Sequence, residues 1–181
     1  MDLLKIKRAA TALVLLALAT APLRAAPLLP NEYALKSVFL YNFCHFIEWP
    51  APAFSSPKEP LTICIIGDDP FGSLLKEAVE GETYQGRPIV IEHCRSPKEL
   101  KRCHLLFVPR SENDRLDSIL AAVAGKSVVT VGETEDFLER GGMIALPAER
   151  NRIRLRVNPS ALRAASLSVS SKLLRVADLK S

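Results

Sequence analysis

Leu61 to Gly72 reads Leu-Thr-Ile-Cys-Ile-Ile-Gly-Asp-Asp-Pro-Phe-Gly, and no other stretch narrows the fold so far. Leu61 to Ile66 is almost unbroken apolar sequence, rich in β-branched residues. Such a run suits a strand buried on both faces, the condition of a parallel sheet whose crossovers cover it on either side. Gly67-Asp68-Asp69-Pro70 then breaks the run. An Asp followed by Pro marks the first turn of a helix, where proline loses no hydrogen bond.

The rest of the chain repeats that alternation. A helix is expected from Asn31 to Ile47, ended by Trp49-Pro50. Its wide apolar surface (Leu35, Val38, Phe39, Leu40, Phe43, Phe46, Ile47) predicts a largely buried element. A helix over Phe71 to Glu80 follows the opening strand. Further strands are expected at Pro88 to Glu92, Cys103 to Val108, Ser127 to Val131 and Met143 to Leu146. A helix opens at Ser111-Glu112 and stops at Gly125. Thr134 caps a short helix through Phe137 and Leu138. Arg152, Arg154 and Arg156 alternate with apolar residues, the period of an edge strand with one solvated face. Helical segments at Ala161 to Leu167 and Ser170 to Ala177 complete the chain. The expected architecture is one α/β domain. It holds a Rossmann-like, mostly parallel sheet flanked by helices, with a late antiparallel hairpin.

The N-terminus reads differently. Lys5 to Arg8 is basic, Ala9 to Ala21 is apolar, and Leu23-Arg24-Ala25 ends in a small residue, the three parts of a cleaved export signal. The apolar run is about a dozen residues, against roughly 20 needed to cross a bilayer. Residues 1–25 are therefore expected to be a signal peptide and 26–181 the folded domain. Most of the +4 net charge lies in that segment; beyond it stand 20 basic and 19 acidic residues. So small an excess gives no electrostatic basis for nucleic-acid binding.

Export changes the meaning of the cysteines. All four, Cys44, Cys64, Cys94 and Cys103, follow the signal, and an even count in an oxidising compartment favours disulfides. Four cysteines allow three connectivities. The pairs Cys44-His45, His93-Cys94 and Cys103-His104 lack metal-ligand spacing, and neighbouring strand residues face opposite ways. No metal or cofactor is expected. Gly67 to Gly72 has the place of a nucleotide loop without its glycine spacing, and two aspartates repel phosphate. The alternative is a small-ligand crevice at the strand ends, built from Asp68, Asp69, Ser111, Glu112 and Glu133. No serine elbow or paired-carboxylate cleft points to catalysis.

Ala34 to Phe43 running into Trp49-Pro50, Ile63 to Gly72, Cys103 to Val108 with Ser111-Glu112, Thr130-Val131-Gly132, Phe137 with Gly141 to Ile144, Arg154 to Asn158, and Ser170 to Leu174 stand in one order. That ordered set resembles the YfiR family of periplasmic regulators. The resemblance implies a Rossmann-like fold and a task without catalysis: restraint of an inner-membrane diguanylate cyclase by binding its periplasmic sensor domain, under redox or stress control. It also brings in an outer-membrane lipoprotein and a homodimer as partners to test. It implies a disulfide between Cys64 and Cys103, which closes a loop of about 40 residues, worth roughly 4 kcal/mol. A second family disulfide has no cysteines here, so Cys44 and Cys94 are left to pair with each other or for one to stay a buried thiol. Apolar surface on the first or last helices is the expected contact area.

Overall fold

The computed structural model describes residues 32–150 and 152–180; the expected signal at 1–25 lies outside them. Helix α1 (Glu32–Phe46) leads into the short strand β1 (Ile47–Glu48) and then a proline-rich loop. Strand β2 (Leu61–Ile66) is the opening apolar run, buried at all six positions. Helix α2 (Leu74–Val79), strands β3 (Thr83–Tyr84) and β4 (Arg87–Cys94), and strand β5 (Leu105–Val108) follow. A 3-10 turn feeds helix α3 (Leu116–Val123), which gives way to Gly125 at φ 73°, a left-handed stop suited to glycine. Strands β6 (Val129–Gly132), β7 (Ile144–Ala145), β8 (Ala148–Glu149), β9 (Arg152–Ile153) and β10 (Arg156–Val157) come next. Helix α4 (Pro159–Ala164), strand β11 (Ser168–Val169), helix α5 (Ser171–Val176) and strand β12 (Asp178–Leu179) end the described chain.

Eight strands form the main sheet in the order β12-β10-β7-β6-β5-β2-β4-β3. Strands β4, β2, β5, β6 and β7 are mutually parallel. Numbered along the chain, those five lie in the order 2-1-3-4-5, one of the two common doubly wound arrangements. The fold is α/β as expected, with β2 near the middle.

Because side chains alternate along a strand, β2 feeds two cores. Leu61, Ile63 and Ile65 join α1, α2, α4 and α5 in one apolar cluster; Cys64 and Ile66 join α3 in another. The first cluster is rich in aromatic and β-branched side chains and the second in leucine and β-branched ones, and this burial is the main term holding the sheet between its layers.

Three expectations change. Arg152 to Val157 is two strands rather than one edge strand. The chain turns at Arg154, whose N–H donates to Pro147 O (3.0 Å), and β10 lies inside the sheet between β7 and β12. Glu149 holds Arg156 at 2.8 Å and Arg154 at 3.9 Å, so two of these arginines are paired. The edge on that side is β12, which follows the last expected helix and for which the sequence carries no strand signal. Thr134 to Leu138 forms turns instead of a helix. There the Phe137 ring fills the space above Gly132 and Gly142, where any Cβ would strike it.

Helix α1 is the third change. Its inner face carries Glu32, Lys36 and Ser37 beside Leu40, Phe43 and Cys44, while Leu35 and Val38 are 45% and 48% exposed. The helix buries charges and shows apolar side chains to solvent.

Candidate functional site

In a doubly wound sheet the carboxyl ends of the strands, where the order reverses, form the usual ligand crevice. Here that point lies between β2 and β5, and side chains fill it. Tyr33 packs edge-on against Phe71 (5.6 Å between centroids), and Phe71 against Phe107 (4.8 Å). The Glu112 carboxylate lies over Gly67 so closely that a Cβ there would collide with it. Gly67 also has φ 77°, so glycine is needed there for conformation as well as space.

Glu133, just past β6, is the deepest of the expected crevice residues. Lys36 of α1 forms ion pairs with both Glu133 and Glu32. Tyr33 Oη donates to Glu133 at 3.3 Å, and the Arg110 backbone N–H donates to it at 2.7 Å. The Arg110 guanidinium spans Glu32 and Glu133 at 3.4 Å each. Burial pushes the Glu133 carboxyl up, but the Lys36 charge and the hydrogen bonds outweigh it and hold the group below the usual range. Burial and the two carboxylates push the Tyr33 phenol to about 12, so it stays a donor. Among the described residues every buried side-chain polar atom has a partner. A buried charge cluster is tolerable only when satisfied in this way.

The other crevice residues are engaged elsewhere. Asp69 accepts from the Phe71 N–H (2.8 Å) and meets His93 Nε2 (2.8 Å). Glu112 pairs with Arg115. Asp68 and Ser111 are exposed. The five residues thus form no shared open crevice, because α1 inserts Tyr33 and Lys36 where a ligand would sit. Sequence reasoning found Glu133 and missed Lys36, Tyr33 and Arg110. The stripe Glu32, Lys36, Leu40, Cys44, spaced by four, was the available signal that charges share the helix's buried face.

All four cysteines are buried free thiols. Cys44 lies in the α1 core, its Sγ donating to Leu40 O (3.4 Å), and burial pushes it up to about 12. Cys64, Cys94 and Cys103 all lie in the cluster on the opposite face of the sheet. Of the two alternatives left open for Cys44 and Cys94, the structure favours a buried thiol at Cys44, because the sheet stands between the two. Cys64 instead has two thiol neighbours. Its pKa is raised, first by the neighbouring Cys103 thiol and then by burial, and Cys94 also acts on it.

His104, beside Cys103, is structural. The Thr62 N–H donates to its Nδ1 (3.1 Å), and its Nε2 reaches Ala53 O (3.2 Å). Phe54 stacks on the ring at 4.4 Å. Burial lowers its pKa, so the neutral ring is favoured.

Among solved structures, a conserved domain protein from Vibrio cholerae O1 biovar El Tor superposes with a TM-score of 0.52 at 11% identity, over 66% of this chain and 54% of that one. An ABC domain in complex with L-Trp from Streptococcus pneumonia gives 0.54 at 10% identity, over 81% and 60%. The chain thus matches little more than half the length of either neighbour, and at these identities the likeness concerns the fold alone. No curated protein matches the chain. The YfiR/HmsC-like family model matches residues 33–178, from the first turn of α1 into β12. The chain belongs to the YfiR/HmsC-like family.

Proposed function

We propose that the chain is an exported regulatory protein that binds and inhibits the periplasmic sensor domain of an inner-membrane diguanylate cyclase. Family membership over residues 33–178 is the observation that carries this reading. Two features of the fold support it. The strand-end crevice is closed by the molecule's own helix, which disfavours the small-ligand alternative. Among the described residues, the large apolar side chains left in solvent are Leu35 and Val38 on α1, Leu74 on α2, Val176 on α5 and Leu179 on β12. They lie mainly on the first and last elements, and α1 packs against α2, so Leu35, Val38 and Leu74 stand on adjoining helices. Exposed apolar groups on rigid helices are the usual anchors of a protein contact.

In this reading no residue does covalent chemistry on a substrate. Inhibition follows from occupying the sensor domain, and release follows from a change in the regulator that weakens the contact. The Cys64–Cys103 disulfide implied by the family resemblance would stiffen the sheet behind that surface.

Affinity capture from membranes of the source cell, with the folded domain as bait, tests the proposal. Recovery of a cyclase with a periplasmic domain is expected; recovery of soluble enzymes alone would overturn it.

A further inference from the structure

We propose that Cys64 is the shared centre of a three-thiol exchange site, holding a disulfide with either Cys103 or Cys94 and loaded through the groove that Cys103 lines. The placement follows from the sheet. Cys94 ends β4, where Ile66 of β2 is its register partner, and Cys64 points to the same face as Ile66. Cys103 precedes β5 on the other side of β2. Strand β2 lies between β5 and β4 in the sheet, and Cys64 interacts with both other thiols. Cys64 is therefore the middle member. Among the described residues no three His, Cys, Asp or Glu side chains are grouped to hold a metal ion, and a chain of thiols suits exchange instead.

Cys103 is the member with a way in. It borders a groove of about 700 Å³ at the amino ends of the strands, whose charged lining is Lys101, Arg102, Lys126 and Glu59. Three cations against one carboxylate favour an anionic disulfide such as that of glutathione.

The exchange balances without further reagents. The Cys103 thiolate attacks the small disulfide, forming a mixed disulfide and releasing one small thiol. The Cys64 thiolate attacks Cys103 Sγ, forming Cys64–Cys103 and releasing the second. The Cys94 thiolate then attacks Cys64 Sγ, forming Cys64–Cys94 and returning Cys103 as a thiolate. Two protein thiols are oxidised and one disulfide is reduced to two thiols. Buried thiols exchange slowly, over minutes to hours.

The test incubates the folded domain with glutathione and its disulfide, traps free thiols by alkylation and maps unreduced peptides. It reads thiols alone, so its outcome is independent of whether a cyclase binds. Wild type is expected to yield both Cys64–Cys103 and Cys64–Cys94 peptides. Cys94→Ala loses the second and keeps the first, whereas Cys103→Ala and Cys64→Ala each lose both, because the oxidant enters through Cys103 and is passed on by Cys64. Cys44, on the other face, stays free throughout. Wild type with no Cys64–Cys94 peptide would overturn the proposal, and so would a Cys64–Cys94 peptide accompanied by equal linkage of Cys44, which marks pairing through unfolded chains.

Discussion

Lys36 and Glu133 meet in a fully buried ion pair, 97 residues apart in the chain. One stands on the first helix and the other just beyond the end of a central strand. The pair fixes the helix over the strand ends and closes the crevice that this fold normally offers to ligands.

Lys36→Met should cost about 3–5 kcal/mol, because it leaves Glu133 as a buried charge without its ammonium partner. Adding Glu133→Gln should recover part of that loss. Urea denaturation of the two single variants and the double variant measures the coupling. Additive losses would show that the pair does not hold the helix.

Acid should weaken the fold in two stages, whose signs follow from two groups. His104 has a folded pKa below 6.5, so the unfolded chain binds more protons and stability falls as pH drops below 6.5 until the folded pKa is passed. Glu133 has a folded pKa below 4.5, so its contribution is present above 4.5 and is lost as pH falls through the folded value. Thermal melts from pH 8 to pH 3 should show both stages, and His104→Gln should flatten the upper one alone. An upper stage unchanged in that variant would rule His104 out as its source.

Gly132→Ala and Gly142→Ala should each destabilise by roughly 1–3 kcal/mol, since the new methyl meets the Phe137 ring in a packed core. Adding Phe137→Leu should relieve much of the Gly132→Ala loss and less of the Gly142→Ala loss, because the methyl at 142 also meets the Phe137 carbonyl oxygen. Equal melting temperatures for the glycine variants and wild type would show that the ring moves aside freely.

The sequence made the centre of this fold plain and its helix-to-sheet contacts obscure. Leu61 to Ile66 announces a central strand through its own composition, and Gly125 announces a helix end through its own backbone. Lys36 announces nothing: its partner Glu133 lies 97 residues away, and a lone lysine on a helix normally faces water. Strand β12 is two residues long and exists because Asp178 and Leu179 pair with Arg156 and Val157, a relation no local pattern carries. The cysteines were legible as four thiols that could pair. Which of them share a face depended on sheet register, and that separated Cys44 from Cys94.

Leu35→Glu with Val38→Glu should leave the melting temperature nearly unchanged, because both side chains already stand in solvent, where a substitution alters stability by about 0.5 kcal/mol or less. Capture of the cyclase from membranes should be lost. Full capture by this variant would move the contact to Val176 and Leu179.

Cyclic-di-GMP synthesis by membranes carrying the cyclase, measured with and without the purified domain, tests the central claim most directly. Added domain should slow synthesis in a saturable way, and the Leu35→Glu, Val38→Glu variant should not. A rate indifferent to the wild-type domain at saturating concentration would contradict the account.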